Sequence, residues 1–153
     1  MYNSEKVYRS TYHFVEQILP SGVIAVDGQE YGIRVDDPVG KSPSVAVTLG
    51  DISNAALELG TIGSNYPVIF TINAKSRMQR DALKDIIRSG IMYQQIPIYS
   101  DFTSFTPASG AVIQSYAGIG DYFQMRDMPN FDSDREKFFW NAVVVVSLDI
   151  LGI

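Results

Sequence analysis

The sequence contains no cysteine and a single histidine, His13, among its 153 residues. The lack of cysteine excludes disulfide bonds, thiol nucleophiles, iron–sulfur clusters and cysteine-ligated zinc. One histidine also leaves little for a histidine-based metal site or a catalytic triad, since each needs further ligands or partners. Because a cysteine-free chain is compatible with reducing and oxidising surroundings alike, these absences leave the compartment open.

Basic residues are outnumbered, with 12 Lys and Arg against 17 Asp and Glu and a formal net charge of -5. Proteins that bind phosphate backbones usually carry a basic surface, so nucleic-acid binding is disfavoured. Long hydrophobic runs are also lacking, because the longest, around Val143 to Val146, is far shorter than the roughly 20 residues that cross a bilayer. The amino-terminal residues contain no apolar signal core. We therefore expect a soluble protein.

Motifs that would indicate an enzyme are missing, since there is no GxxxxGKS/T, GxSxG or HExxH pattern and no EF-hand loop. Asp132, Asp134 and Glu136 lack the turn glycine of a calcium loop, which favours a solvated acidic run over a metal site. His13 lies in a predicted helix, which favours a structural role over general-base catalysis. We predict no catalytic residue, metal or cofactor and no enzymatic activity. A hydrolase with carboxylates assembled by folding is the weakest alternative.

Hydrophobic periodicity predicts two helices, one that begins with Ser4 as its cap and is closed by Pro20 and Gly22, and one at residues 76–90. Ser76 opens the second helix in a capping box, and Gly90 is predicted to end it in a left-handed conformation. The predicted strands cover residues 23–26, 31–35, 45–49, 66–74, 96–99 and 138–150. Because both helices have one apolar face, we predict an α+β fold with helices packed on one face of a mostly antiparallel β-sheet. One domain is expected over residues 1–153.

An aromatic-rich loop or hairpin is predicted from Tyr93 to Phe131, in a stretch that also contains many Gly, Pro, Ser and Asp residues. Its aromatic residues are Tyr93, Tyr99, Phe102, Phe105, Tyr116, Tyr122, Phe123 and Phe131. Two interpretations stay open: a long hairpin folded back on its own core, or a surface that contacts another subunit. Within this stretch, Pro97 places the strand 96–99 at a sheet edge, where it is a candidate for pairing with another subunit.

Basic residues concentrate on the helix at 76–90, whereas acidic residues dominate later in the chain. The basic set is Lys75, Arg77, Arg80, Lys84 and Arg88, and the acidic set is Asp101, Asp121, Asp127, Asp132, Asp134 and Glu136. The simpler interpretation is that both are solvated, with modest pairs between Asp81 and Lys84 and between Asp85 and Arg88. The alternative hypothesis is that the basic helix of one subunit faces the acidic, aromatic loop of the next in a head-to-tail ring.

Five short segments follow one another in a characteristic order. They are Pro43-Ser44-Val45, Leu57-Glu58-Leu59-Gly60, Phe70-Thr71-Ile72-Asn73-Ala74-Lys75, Gln79-Arg80-Asp81-Ala82-Leu83 and Ile96-Pro97-Ile98-Tyr99-Ser100-Asp101. Together they resemble the tail terminator, or tail-completion, proteins of tailed bacteriophages. The likeness is strongest from about residue 43 to residue 102, and none of the segments is catalytic. Residues 103–131 match no pattern of that family.

The resemblance implies a virion structural protein that forms a ring, commonly a hexamer, at the head-proximal end of the tail. Such a ring caps the tail tube, ends tube polymerisation and joins the tail to the connector protein of the head neck. Genome DNA would pass through the lumen without specific binding, which suits an acidic protein because a basic wall would retain phosphate. Assembly would take place in the host cytoplasm, without a membrane.

The resemblance places Leu57 and Glu58 in a loop available to a neighbouring subunit or to the tube. The residues predicted to form the interface are Arg77, Arg80, Lys84, Arg88, Leu57, Glu58, Tyr99, Phe102, Phe105, Tyr116, Tyr122 and Phe123. Two alternative functions remain: another connector component of the neck, or an α+β module that binds a small ligand.

Overall fold

The computed structural model describes residues 4–28, 43–49, 65–127 and 140–151, in which three strands follow the first helix and five follow the second. The helices are α1 (Ser4–Ile18) and α2 (Arg77–Tyr93). The strands are β1 (Ile24–Asp27), β2 (Ser44–Leu49), β3 (Asn65–Ala74), β4 (Ile96–Tyr99), β5 (Phe102–Thr103), β6 (Thr106–Pro107), β7 (Ile113–Asp127) and β8 (Trp140–Leu151). The predictions for residues 31–35, Leu57, Glu58, Phe131, Asp132, Asp134 and Glu136 lie outside the described residues.

Six of these strands form one sheet in the order β1-β2-β3-β8-β7-β4. Strands β1 and β2 run parallel, whereas the other neighbouring pairs are antiparallel. Strands β5 and β6 form a separate small hairpin. The sheet is curled and both helices pack against it, so the predicted α+β fold is confirmed. Strand β4 lies at one edge of the sheet, as Pro97 predicts.

The core lies between the helices and one face of the sheet. Along β3 the alternate residues Tyr66, Val68, Phe70, Ile72 and Ala74 are fully buried, as their period-two pattern predicts. The helical side chains in the same cluster are Val7, Phe14 and Val15 of α1 and Leu83, Ile87 and Ile91 of α2. Burying one large apolar side chain completely contributes about 1.5–3 kcal/mol, so this cluster is the main source of stability.

The opposite face of the sheet carries polar side chains that are nevertheless buried. Ser44, Asn73 and Asn141 lie in one row across β2, β3 and β8. Asn141 donates from Nδ2 to Asn73 Oδ1 at 2.6 Å, and Asn73 donates from Nδ2 to Ser44 Oγ at 3.3 Å. The sequence pattern predicts only partial burial for Asn141 and Ser147, but both are buried. The hydrogen bonds within this row give some of the buried polar side chains partners in place of water.

Helix α2 begins as predicted but continues beyond its predicted end. Ser76 Oγ accepts a hydrogen bond from Gln79 N–H at 3.1 Å, and Gln79 Oε1 accepts one from Lys75 N–H at 2.8 Å. Gly90 is not a stop, because the helix runs on to Tyr93. Gly90 is instead buried against α1, where an added Cβ would lie 2.8 Å from Ile18 Cδ1. The glycine therefore permits close packing of the two helices.

Residues 113–127, predicted as part of a loop or hairpin, form the long strand β7 between β4 and β8. Its pairing with β8 is interrupted by a bulge, because Ile119 lies opposite Leu148 and Phe123 lies opposite Val146. Gly120 occupies this bulge, where a Cβ would come within 2.7 Å of the Asp149 carboxylate. The glycines of this segment thus reflect a local irregularity within a paired strand, as is common at bulges.

Candidate subunit interface

The described residues contain no cluster that resembles a catalytic or metal centre. No group of three or more His, Asp and Glu side chains gathers within them. His13 lies on α1, half-buried, with its ring 5.9 Å from the ring of Tyr99 in an edge-on arrangement. Neither α1 nor α2 is long and apolar enough to cross a membrane.

Side chains of α1 form hydrogen bonds with backbone groups of both edge strands, β4 and β1. On β4, Ser10 Oγ accepts a hydrogen bond from Tyr99 N–H at 3.1 Å, while Pro97 has no N–H to offer. On β1, the Tyr12 hydroxyl donates to the carbonyl oxygen of Ala25 at 2.8 Å. Native proteins commonly block sheet edges in this way. Strand pairing with another subunit at β4, an expectation from the sequence, is disfavoured by this geometry.

Tyr8 and Tyr12 also connect α1 to the sheet through polar contacts. The Tyr8 hydroxyl donates to the carbonyl oxygen of Val47 at 2.9 Å and to the carboxylate of Asp27. Burial of the Tyr12 ring raises its pKa to about 12, and the nearby Glu16 and Asp27 carboxylates act in the same direction. The Tyr12 hydroxyl is therefore protonated at neutral pH and serves as a donor to Ala25, which is a structural role.

The small hairpin β5–β6 is held against α1 by Phe105. The Phe105 ring stacks on Tyr12 with centroids 4.2 Å apart and meets the Tyr8 ring edge-on at 6.0 Å. The Arg9 guanidinium lies 5.3 Å from the Phe105 centroid and donates to the Ser104 carbonyl oxygen at 2.5 Å. For Phe105 the interpretation of a hairpin folded on its own core therefore holds. Phe102 likewise contacts its own chain, edge-on to Tyr99 at 6.3 Å.

Four exposed hydrophobic residues adjoin β4, and we call them the edge patch: Tyr93, Val112, Ile113 and Tyr116. Their exposed fractions are 81%, 60%, 44% and 41%. Tyr93 ends α2 three residues before β4, whereas Ile113 and Tyr116 lie opposite Tyr99 and Pro97. Ser100 N–H donates to the Val112 carbonyl oxygen at 2.9 Å, and Val112 N–H donates to Ser100 Oγ at 3.0 Å. A rigid backbone thus presents this apolar surface.

Arg80 and Lys84, which the head-to-tail hypothesis places against the acidic loop of a neighbouring subunit, form ion pairs within their own chain. Arg80 is only 8% exposed, and its Nη2 lies 3.1 Å from Asp127 Oδ2. Its guanidinium also lies 5.3 Å from the Trp140 ring centroid and 3.2 Å from Asp81 Oδ1. Lys84 Nζ lies 2.7 Å from Asp127 Oδ1. Because Arg80 and Lys84 pair with Asp127 of the same chain, these three residues no longer support the hypothesis of a head-to-tail charge contact.

The other predicted interface residues are scattered. Arg77 and Arg88 are exposed on α2, and Phe123 packs partly buried against the core. Tyr122 belongs to β7. Val112 and Ile113 were not predicted as surface residues; their only signal is an apolar pair shortly after the turn at Gly110. Ser10 and Tyr12 were not predicted either, because the contacts of these helix residues form only once the sheet is folded.

Two surface crevices bear on the small-ligand alternative. One, of about 450 Å³, lies beside Glu16, Val23 and Ala25, and the other, of about 230 Å³, lies beside Lys6 and Asp101. Small-ligand sites usually combine an apolar cavity with a few convergent buried polar groups. The described lining residues of both crevices include exposed charged side chains instead, which disfavours this alternative.

Comparison with protein-family models gives no match for this sequence, and comparison with curated proteins gives no significant match. The fold defines the chain as an α+β protein, and four of the exposed hydrophobic residues in its described part form the edge patch.

Proposed function

We propose that this protein is a ring-forming structural protein of a tailed-bacteriophage virion, a tail terminator that caps the tail tube and joins it to the head neck. The edge patch is the observation that carries the proposal. Five of the six large hydrophobic residues that are exposed in the described part of the chain, Met92 and the four of the edge patch, fall within residues 92–116. Exposed hydrophobic residues concentrated in one segment of the chain favour a protein–protein contact there.

The chemistry of the edge patch suits a permanent subunit contact. Tyrosine is among the residues that most often anchor interfaces, because its ring buries a large area while its hydroxyl remains hydrogen-bonded. Since Ser10 and Pro97 leave little of the β4 backbone available, the contact would be made by side chains rather than by strand addition. A stable contact buries about 1,200–2,000 Å² in total, so the edge patch would form the centre of a larger interface.

The order of the resembling segments and the acidic composition support the same function. Segments 70–75, 79–83 and 96–101 form the end of β3, the start of α2 and strand β4, which are consecutive parts of one region. A net charge of -5 suits a lumen through which DNA passes, because like charges prevent retention of phosphate. The expected partners are further copies of this chain, the tail tube protein and the neck connector.

Light scattering and negative-stain imaging of the purified protein, alone and mixed with tail tube protein, test this proposal. We expect a closed ring with an open centre, either free or on tube ends, and tubes of fixed length in the mixture. A ring that leaves tube length unchanged would indicate another neck component and overturn the terminator function. A monomer that forms no ring on tube ends would overturn the structural function altogether.

A pair of variants assigns the ring contact to the edge patch. Replacing both tyrosines of the edge patch (Tyr93→Ser, Tyr116→Ser) is expected to release monomers, because it removes the two largest apolar anchors. The matched control is Met78→Ser, which changes a residue that is 82% exposed at the other end of α2. The control is expected to form rings as the unmodified protein does. Equal loss of rings in both variants would contradict the assignment.

A further inference from the structure

The solvent face of α2 carries an ordered set of charges. Arg77, Asp81, Asp85, Arg88 and Met92 are all exposed. Their spacing of three or four residues places them in one stripe along the helix. Arg77, Asp85 and Arg88 form no ion pair with any of the described residues, although the sequence predicts a pair between Asp85 and Arg88. This stripe therefore carries charges at regular spacing, and three of its charged residues have no ion-pair partner among the described residues.

The stripe is complementary to itself when the α2 helices of two copies meet antiparallel, face to face. In an antiparallel pair of identical helices, residues whose numbers add up to a constant face each other. If Asp81 of one copy faces Arg88 of the second, then Arg88 of the first copy faces Asp81 of the second. By the same rule, Lys84 of each copy faces Asp85 of the other. Asp81 then lies opposite an exposed base in both copies, and Asp85 lies opposite Lys84, whose side chain is 18% exposed and also pairs with its own Asp127. A self-complementary patch of this kind defines a two-fold contact.

We propose that α2 docks antiparallel against α2 of a second copy of this chain, in the register that places Asp81 opposite Arg88. Exposed ion pairs fix orientation and register more than they add affinity. The attraction comes from the apolar residues along the same face, since Met78 and Met92 are 82% and 45% exposed and each copy contributes both. Lys84 remains within reach of its own Asp127 and shares its charge with the second copy.

This contact is separate from the ring proposed above. A ring closes through head-to-tail contacts between different surfaces, whereas a two-fold contact pairs subunits face to face. The inference therefore goes beyond the proposed function, and each can fail without the other. A protein that forms rings but shows no α2 pairing would overturn only the pairing.

Cysteine cross-linking tests the register, because the chain has no cysteine of its own. Asp85→Cys lies next to the two-fold axis and is expected to form a disulfide between two copies under mild oxidation. Arg77→Cys alone is the matched control, because its two copies would lie roughly 22 Å apart along paired helices. A mixture of Arg77→Cys with Met92→Cys is expected to cross-link. Failure of Asp85→Cys to link, or equal linking of Arg77→Cys alone, overturns the proposal.

Charge exchange supplies an independent test by sedimentation or light scattering. Asp81→Arg and Arg88→Asp are each expected to weaken self-pairing by at least about tenfold, because each places like charges opposite one another. In an equimolar mixture of the two variants, every opposing position regains opposite charges, so mixed pairs are expected to form. Thermal unfolding of each variant checks that the fold is intact. A mixture that pairs no better than the separate variants overturns the register.

Discussion

Ser10 on the first helix accepts a hydrogen bond from the main-chain N–H of Tyr99 on the edge strand β4, at 3.1 Å. Two residues further along the same helix, the Tyr12 hydroxyl donates to Ala25 on the opposite edge strand, β1, at 2.8 Å. One helix therefore contacts both edges of a six-stranded sheet that curls towards it. A contact with another subunit at these edges would therefore use side chains rather than strand addition.

Replacing Ser10 by alanine is expected to destabilise the protein by about 1 kcal/mol, because it removes the acceptor of the Tyr99 N–H in a part-buried position. Urea unfolding measures this as a lower midpoint with an unchanged slope. Ser89→Ala on the exposed face of α2 is the matched control and is expected to change stability little. An unchanged midpoint for Ser10→Ala would show that water replaces the lost hydroxyl as the acceptor of the Tyr99 N–H hydrogen bond.

Tyr12 is expected to make stability depend on pH above 10. Its folded-state pKa of about 12 exceeds the ordinary value of 10.0, so the unfolded chain loses this proton first as the pH rises. The stabilisation is complete below pH 10 and is lost between about pH 10 and 12, by up to about 2–3 kcal/mol. Tyr12→Phe should flatten this part of the curve relative to the unmodified protein. Tyr93→Phe, at an exposed ring, should follow the unmodified curve.

Gly90→Leu is expected to cost about 1–3 kcal/mol, because the new side chain enters the space that Ile18 occupies. Adding Ile18→Ala should recover much of this loss, since it vacates the contact. A double-mutant cycle measured by urea unfolding quantifies the coupling between the two positions. Ser89→Leu, at the preceding exposed position, is the control for a longer side chain on the same helix. Additive effects of Gly90→Leu and Ile18→Ala would argue against direct packing.

Asp127→Asn is expected to destabilise the protein by about 1–2 kcal/mol, because it leaves the buried Arg80 guanidinium with fewer charged partners. Arg80 keeps Asp81 and Trp140, and Asp127 is partly exposed, which limits the loss. Asp85→Asn removes an exposed carboxylate without an ion pair among the described residues and should change stability by less than about 0.5 kcal/mol. Equal costs for the two variants, measured by thermal unfolding, would show that the Asp127 pairs contribute nothing specific.

Much of the fold follows from the sequence because most elements bury one face. The alternation in β3 and the capping of α2 by Ser76 are local patterns, so they predict those elements directly. Strand β7 could not be predicted in this way. Gly118 and Gly120 are typical of turns, and only pairing with β4 on one side and β8 on the other makes this stretch a strand. That pairing joins residues that are distant in the sequence, and it is not accompanied by a regular alternation of hydrophobic and polar residues in β7.

The interface was harder to predict than the fold. A basic residue on a helix suggests an exposed charge, but Arg80 is buried by Trp140 and Asp127, which are distant from it in sequence. The aromatic content of residues 93–131 leaves two interpretations open, a hairpin folded on its own core or a surface that contacts another subunit. It cannot distinguish Phe105, which packs on α1, from Tyr93 and Tyr116, which face solvent, because that distinction depends on how β5 and β6 fold back.

The contact between Ser10 and Tyr99 joins residues 89 positions apart, and this separation constrains the order of folding. During synthesis the first helix leaves the ribosome long before β4 exists, so it has no partner for its final position. Contacts of such long range form slowly because much chain entropy is lost before they are gained. Until α1 docks, both sheet edges expose backbone groups that favour aggregation. We therefore expect the amount of protein recovered in its native form to depend on how quickly α1 finds a strand that is made much later.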